Sequence, residues 1–177
     1  MKISCSVLRT LVLALLAFCS PLACINEGSV GGASTALPDV AGTYTISLSY
    51  KENGCLLDSW QEGSVLNGVV LELEQEAADL SGTVQGITGG VLALIHGSNI
   101  YRGTLEGAHA DMTIFGQYPG SEGNCSFSLN NELSADFDGD FMNGTLAFVK
   151  QGNGNPDCGA VECQSLIRFN GARAPRD

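Results

Sequence analysis

From Thr43 to Tyr50 the chain reads Thr-Tyr-Thr-Ile-Ser-Leu-Ser-Tyr, with every second residue large and apolar and a hydroxyl residue at each place between. A period of two is the geometry of a strand with one dry face and one wet face, and it puts Tyr44, Ile46, Leu48 and Tyr50 on the dry side. The alternation returns in Val69, Leu71 and Leu73, in Tyr101 and Leu105, and in Cys125, Phe127 and Leu129, each set interleaved with mostly polar neighbours. Antiparallel sheets solvated on one side look like this, whereas parallel strands covered on both faces do not. Glycine-rich breaks at Gly86, Gly89-Gly90, Gly97, Gly116, Gly120, Gly123 and Gly139 cut the chain into about eight to ten strands. The expected fold is all-β, an antiparallel meander closed into a small β-barrel, with a β-sandwich as the alternative. No stretch carries a sustained helical period, and one helical turn at Glu74 to Leu80 is the most that is expected.

A short unit recurs at Gly42-Thr43-Tyr44, Gly82-Thr83-Val84, Gly103-Thr104-Leu105 and Gly144-Thr145-Leu146. Glycine before a β-branched and an apolar residue suits a strand that bends sharply or packs closely on its neighbour. This punctuation resembles that of small up-and-down barrels, the lipocalin and avidin groups, which open on a Gly-x-aromatic element like Gly42-Thr43-Tyr44. Those groups usually have tryptophan where Tyr44 stands. Avidins line their pocket with several tryptophans, and this chain has only Trp60, so biotin binding is not implied. The resemblance implies a closed barrel, and one of about eight strands is either filled with side chains or just wide enough for one small ligand. The residues placed to line such an interior are Tyr44, Trp60, Leu71, Tyr101, Phe127 and Phe148, together with Ile114, Phe137 and Leu146. Trp60 is expected to plug one end of the core.

The first residues carry a different message. Lys2 and Arg9 precede an apolar run from Leu11 to Phe18, and the segment closes on Ser20-Pro21-Leu22-Ala23-Cys24. The run is too short to span a bilayer and has the layout of a secretory signal. Cys24 after the small Ala23 resembles the acylation site of bacterial lipoproteins, with Pro21 where that family usually has Leu. The implied organisation is a signal peptide over 1–23, a lipidated Cys24 leading a Gly/Ser/Ala-rich tether over 24–38, and a single all-β domain over 39–177. A flexible tether of that length reaches about 20 Å on average. Ile25 in place of the aspartate associated with inner-membrane retention points to an outer-membrane lipoprotein of the cell envelope. The alternative is ordinary cleavage near Cys19 or Ala23 and a secreted protein.

Loss of Lys2 and Arg9 with the signal leaves 6 basic against 19 acidic side chains, a formal charge of −13. Such a surface repels phosphate backbones, so nucleic acid is not an expected partner. Four cysteines remain in the domain: Cys55, Cys125, Cys158 and Cys163. An even number in an exported chain argues for two disulfides. The short spacing favours Cys158 with Cys163, leaving Cys55 for Cys125. The cysteines lack the paired C-x-x-C spacing of a zinc site, and neither His96, at an expected strand end, nor His109, in an expected turn, belongs to a ligand cluster. Asp136, Asp138 and Asp140 alternate like the start of a calcium loop, but Phe141 stands where glycine is required and Ala147 where a bidentate carboxylate is required. The segment reads instead as a hairpin turning at Asp138-Gly139.

No nucleophile elbow, metalloprotease helix, phosphate loop or dinucleotide fingerprint occurs in the sequence. The expected function is therefore noncatalytic, with no metal and no cofactor. The first reading is a lipid-anchored surface scaffold that binds a protein partner, and the alternative is a carrier of a small apolar ligand inside the barrel.

Overall fold

A computed structural model describes residues 36–119 and 123–175. The expected signal peptide, Cys24 and the expected tether up to residue 35 lie outside the described residues. The chain runs β1 (Gly42–Asn53), β2 (Val65–Glu76), β3 (Asp79–Val84), α1 (Gly86–His96), β4 (Ile100–Glu106), β5 (His109–Ile114), β6 (Gln117–Pro119), β7 (Ser126–Asp138), β8 (Phe141–Gly152) and β9 (Cys163–Arg173), with a short 3-10 turn at Pro156–Cys158 before β9. All pairings are antiparallel. β9 returns to β1 and β5 pairs with β7, which closes the sheet into an eight-stranded barrel. Ile114 lies opposite Asn131 and Gln117 opposite Ser128, so β6 continues the β5 row in the same register after a break at Phe115-Gly116. Closure leaves the eight barrel strands without a free edge that would invite pairing with another chain.

The alternation read from the sequence is the inward set. Tyr44, Ile46, Leu48, Val69, Leu71, Leu73, Tyr101 and Leu105 are all buried. Each large apolar side chain fully removed from water contributes about 1.5–3 kcal/mol. The recurring glycines have the role expected of close packing. A side chain on Gly103 would run into the Asp111 carbonyl of β5, and one on Gly144 into the Ser134 carbonyl of β7. These positions let strands coil tightly where a β-carbon would hold them apart. Register irregularities in β1, between Ile46 and Leu48 and between Tyr50 and Glu52, add to the curvature.

The two ends of the barrel are built differently. At one end the hairpins turn in two residues each, at Ala77-Ala78, Gly107-Ala108 and Gly139-Asp140. Val40 and Phe137 fill this end, with Tyr44 edge-on to Phe137 at 6.0 Å. At the other end the connections are long, comprising residues 54–64, α1, residues 115–125 and residues 153–162. Both disulfides lie there.

The bonds join Cys55 to Cys163 and Cys125 to Cys158, which corrects the pairing suggested by sequence spacing. Strand register is the reason. Asn53 of β1 pairs with Ser165 of β9, which brings the residues just beyond them, Cys55 and Cys163, side by side. Phe127 pairs with Gly152, so the chain entering β7 at Cys125 meets the segment leaving β8. The second correction is α1. It occupies a stretch read as glycine-rich breaks, while Glu74 to Leu80, read as a helical turn, is the β2–β3 hairpin. The expected hairpin joining β7 to β8 is present, but it turns at Gly139-Asp140, one residue later than read from the sequence, because Asp138 still pairs with Phe141.

Candidate functional site

α1 connects β3 to β4 and lies over the end of the barrel with the long connections, the wide end, opposite the narrow end closed by the two-residue turns. Gln85 at its start offers no side-chain cap, and Gly97 ends it in the left-handed conformation with its N–H on the Ala93 carbonyl. Gly89 is buried because the helix backs onto the Val84 carbonyl at the point where a β-carbon would stand. At the far end of the helix, His96 Nδ1 donates to the Leu129 carbonyl of β7 at 3.0 Å. The helix is thus seated on β3 at its start and latched to β7 at its finish. His96 is only 6% exposed and not at a strand end, and burial lowers its pKa, partly offset by the Leu129 hydrogen bond. The neutral ring carries its proton on Nδ1.

Beneath α1 and the 54–64 loop is a cavity of about 340 Å³ inside the barrel. That volume is at the small end of the range for ligand sites, roughly 300–1,000 Å³. Leu71, Leu133, Leu146, Ile167 and Phe169 form its wall, and Leu92 and Ile95 of α1 its roof. Trp60 stands at the rim, edge-on to Tyr50 at 4.8 Å and to Phe148 at 5.8 Å. The outward face of α1 is also apolar, with Ile87 89% and Leu94 86% exposed.

One polar pair lies in this wall. Tyr101 Oη donates to Asn131 Oδ1 at 2.9 Å, and both residues are essentially inaccessible to water. Burial pushes the Tyr101 phenol well above its usual pKa, which keeps it a donor. Among the described residues, four buried side-chain polar atoms have no hydrogen-bond partner: Trp60 Nε1, His96 Nε2, Asn130 Oδ1 and Asn131 Nδ2. All four belong to the wide end. An unpaired buried polar group costs about 1–3 kcal/mol. Of the four, Trp60 and Asn131 line the cavity, whereas Asn130 alternates with Asn131 and lies on the other side of β7.

Of the residues placed in the interior by sequence, Trp60, Leu71, Tyr101, Leu146 and Phe148 line the cavity. Tyr44 does not, because it belongs to the narrow end, where its Oη donates to the Val40 carbonyl at 3.0 Å. Phe127 does not either: β7 extends past the cavity at that point, and the half-buried ring lies under the Lys150 ammonium at 4.3 Å. Sequence reading missed Asn131, although it lies in step with Leu129 and Leu133 on the inward set. It also missed the roof, because Leu92 and Ile95 come from a segment read as a loop.

Outside the barrel, His109 begins β5 and is not in the turn. Its Nδ1 is 2.7 Å from Asp136 Oδ1, and its Nε2 is 3.2 Å from Ser134 Oγ. That is the order of groups in a hydrolytic triad, but the setting lacks what the chemistry needs. Ser134 is mid-strand, paired to Asp111 on one side and Thr145 on the other, so the surrounding amides are committed to sheet bonds and offer no oxyanion site. Asp111 Oδ1 is 3.4 Å from the same Nε2. Asp136, chiefly through its hydrogen bond, and Asp111 raise the His109 pKa, which favours the protonated ring over a base. Two of the three aspartates of the acidic run at the narrow end have basic partners, Asp136 in His109 and Asp140 in Arg173. Among the described residues no group of three or more His, Cys, Asp or Glu is arranged to hold a metal ion, and no helix is long and apolar enough to cross a membrane.

Comparison with protein-family models, with curated proteins and with solved structures finds no significant match to this chain.

Proposed function

We propose that this chain is a noncatalytic exported binding protein, anchored to the outer membrane of the cell envelope by acylated Cys24, that carries a small apolar ligand in the wide end of its barrel. The observation that supports a carrier over a surface scaffold is the cavity beneath α1. A scaffold acting through its outer surface gains nothing from an unfilled interior, whereas empty volume in a core costs stability. The apolar walls favour an apolar guest. Two disulfides beside long loops are what an oxidising compartment permits, and they brace the rim through which a ligand would pass.

Native mass spectrometry tests this reading. The Cys24→Ser chain keeps every barrel residue and removes the proposed acylation site, which allows purification without detergent. Extra mass that leaves on gentle activation is the expected result and identifies the cargo. A bare polypeptide mass that stays bare after incubation with cell lipid extract contradicts the carrier reading and returns attention to protein partners.

A further inference from the structure

We infer that the ligand of the barrel carries a neutral hydrogen-bond acceptor, a ketone, ester or amide carbonyl, and that Asn131 Nδ2 donates to it. The inference rests on the carrier reading and specifies the guest.

Asn131 is in register with Ile114 across β7 and β5 and belongs to the inward set with Leu129 and Leu133, both of which line the cavity as it does. Its side chain is wholly buried. One half of the amide is spoken for, since Oδ1 accepts from Tyr101 Oη. That bond fixes the orientation of the amide and leaves Nδ2, with two N–H groups, as the free half. Asparagine in the wall of an apolar barrel is costly unless its donors are used. A leucine there would continue the pattern of its neighbours at no such cost.

The electrostatics of the lining select the kind of acceptor. Among the described residues, Asp58 is the only charged one in the lining, and no lysine or arginine lines it. A carboxylate guest would be buried without a cation and with a carboxylate at the rim, which is strongly unfavourable. A neutral carbonyl accepts the same hydrogen bond without that penalty. Its apolar remainder would lie along Leu71, Leu146 and Ile167 toward Trp60.

The test uses a medium-chain methyl ketone and the alkane of equal length, titrated into the uniformly ¹⁵N-labelled full chain. The Trp60 indole resonance reports entry into the cavity, and the Asn131 side-chain amide reports the hydrogen bond. Both probes are expected to move Trp60, and the ketone alone is expected to move the Asn131 amide protons downfield. The N131L variant is expected to bind the ketone about tenfold more weakly, the equivalent of about 1.4 kcal/mol, and the alkane no worse. If the ketone moves Trp60 but shifts Asn131 no more than the alkane does, the donor role is wrong and the cavity reading stands. If neither probe moves Trp60, the cavity reading fails and the inference fails with it. The wild-type spectra decide the matter even where N131L does not fold.

Discussion

Arg173 donates to one carboxylate oxygen of Asp140 from both Nε, at 2.9 Å, and Nη2, at 2.6 Å. Its third nitrogen, Nη1, donates to the carbonyls of Asp39 and Ala41 at 2.9 and 3.0 Å, and the guanidinium lies 5.9 Å from the centre of the Tyr44 ring. One side chain from the last strand therefore fastens the segment that enters the barrel to the β7–β8 hairpin. The Arg173 side chain is only 7% exposed, while Asp140 is 63% exposed. R173A takes the donor from the part-buried Ala41 carbonyl and the exposed Asp39 carbonyl and uncovers Tyr44, and is expected to cost about 2–4 kcal/mol in urea unfolding. D140N removes a charge that water already screens and is expected to cost about 1 kcal/mol or less. Equal losses in the two variants would contradict this division.

The disulfides differ in reach. Cys55 and Cys163 are 108 residues apart, and Cys125 and Cys158 are 33 apart. Loop-closure entropy puts the first at about 4.8 kcal/mol and the second at about 3.7 kcal/mol, as upper figures. The double serine variants are expected to melt lower than the parent, with C55S/C163S the lower of the two. Non-reducing peptide mapping is expected to recover Cys55 with Cys163, and a Cys158–Cys163 peptide would overturn the assignment.

Ala77 has φ of 55° at the first position of its two-residue turn, where the matching hairpins carry Gly107 and Gly139 at 60° and 58°. A β-carbon in that region costs about 1–2 kcal/mol, partly offset by the greater freedom of glycine in the unfolded chain. A77G is expected to stabilise the protein by about 0.5–1 kcal/mol by thermal melting, and a lower melting temperature would refute the strain.

The two histidines respond to acid in opposite senses. The His109 pKa is raised above 6.5, mainly by the Asp136 hydrogen bond, so its contribution is full below the unfolded value and disappears as pH rises through the folded one. The stability gap between wild type and H109N is therefore expected to be wider at pH 5 than at pH 8. Burial lowers the His96 pKa, so its contribution is present above 6.5 and disappears as pH falls through the folded value. Protonation there opposes the seating of α1. Amide exchange in α1, corrected for intrinsic rate, is expected to quicken relative to the barrel strands on going from pH 7.5 to pH 5, and an unchanged ratio would argue against the latch.

The barrel was legible in the sequence because its alternation is clean in β1, β2 and β7, and because Gly103 and Gly144 mark places where strands press together. α1 was hidden by its own packing. Gly89 is there to let the helix meet Val84, yet in sequence Gly86, Gly89 and Gly90 read as breaks, and tertiary seating outweighs their poor helix propensity. Disulfide pairing was hidden because it follows register between β1 and β9, which no local spacing encodes. The signal for the polar anchor was present: Asn131 occupies an inward place between Leu129 and Leu133, and a polar residue in step with a dry face is what marks a site in a barrel wall.

The chain has one tryptophan, and Trp60 stands at the rim of the cavity. Quenching of its fluorescence by a brominated medium-chain ketone is therefore the most direct test that the barrel takes an apolar guest. Saturable quenching at one ligand per chain, relieved by the unbrominated ketone, is the expected result. Quenching that rises without saturation, and no more steeply than in urea, would contradict a binding role for the cavity.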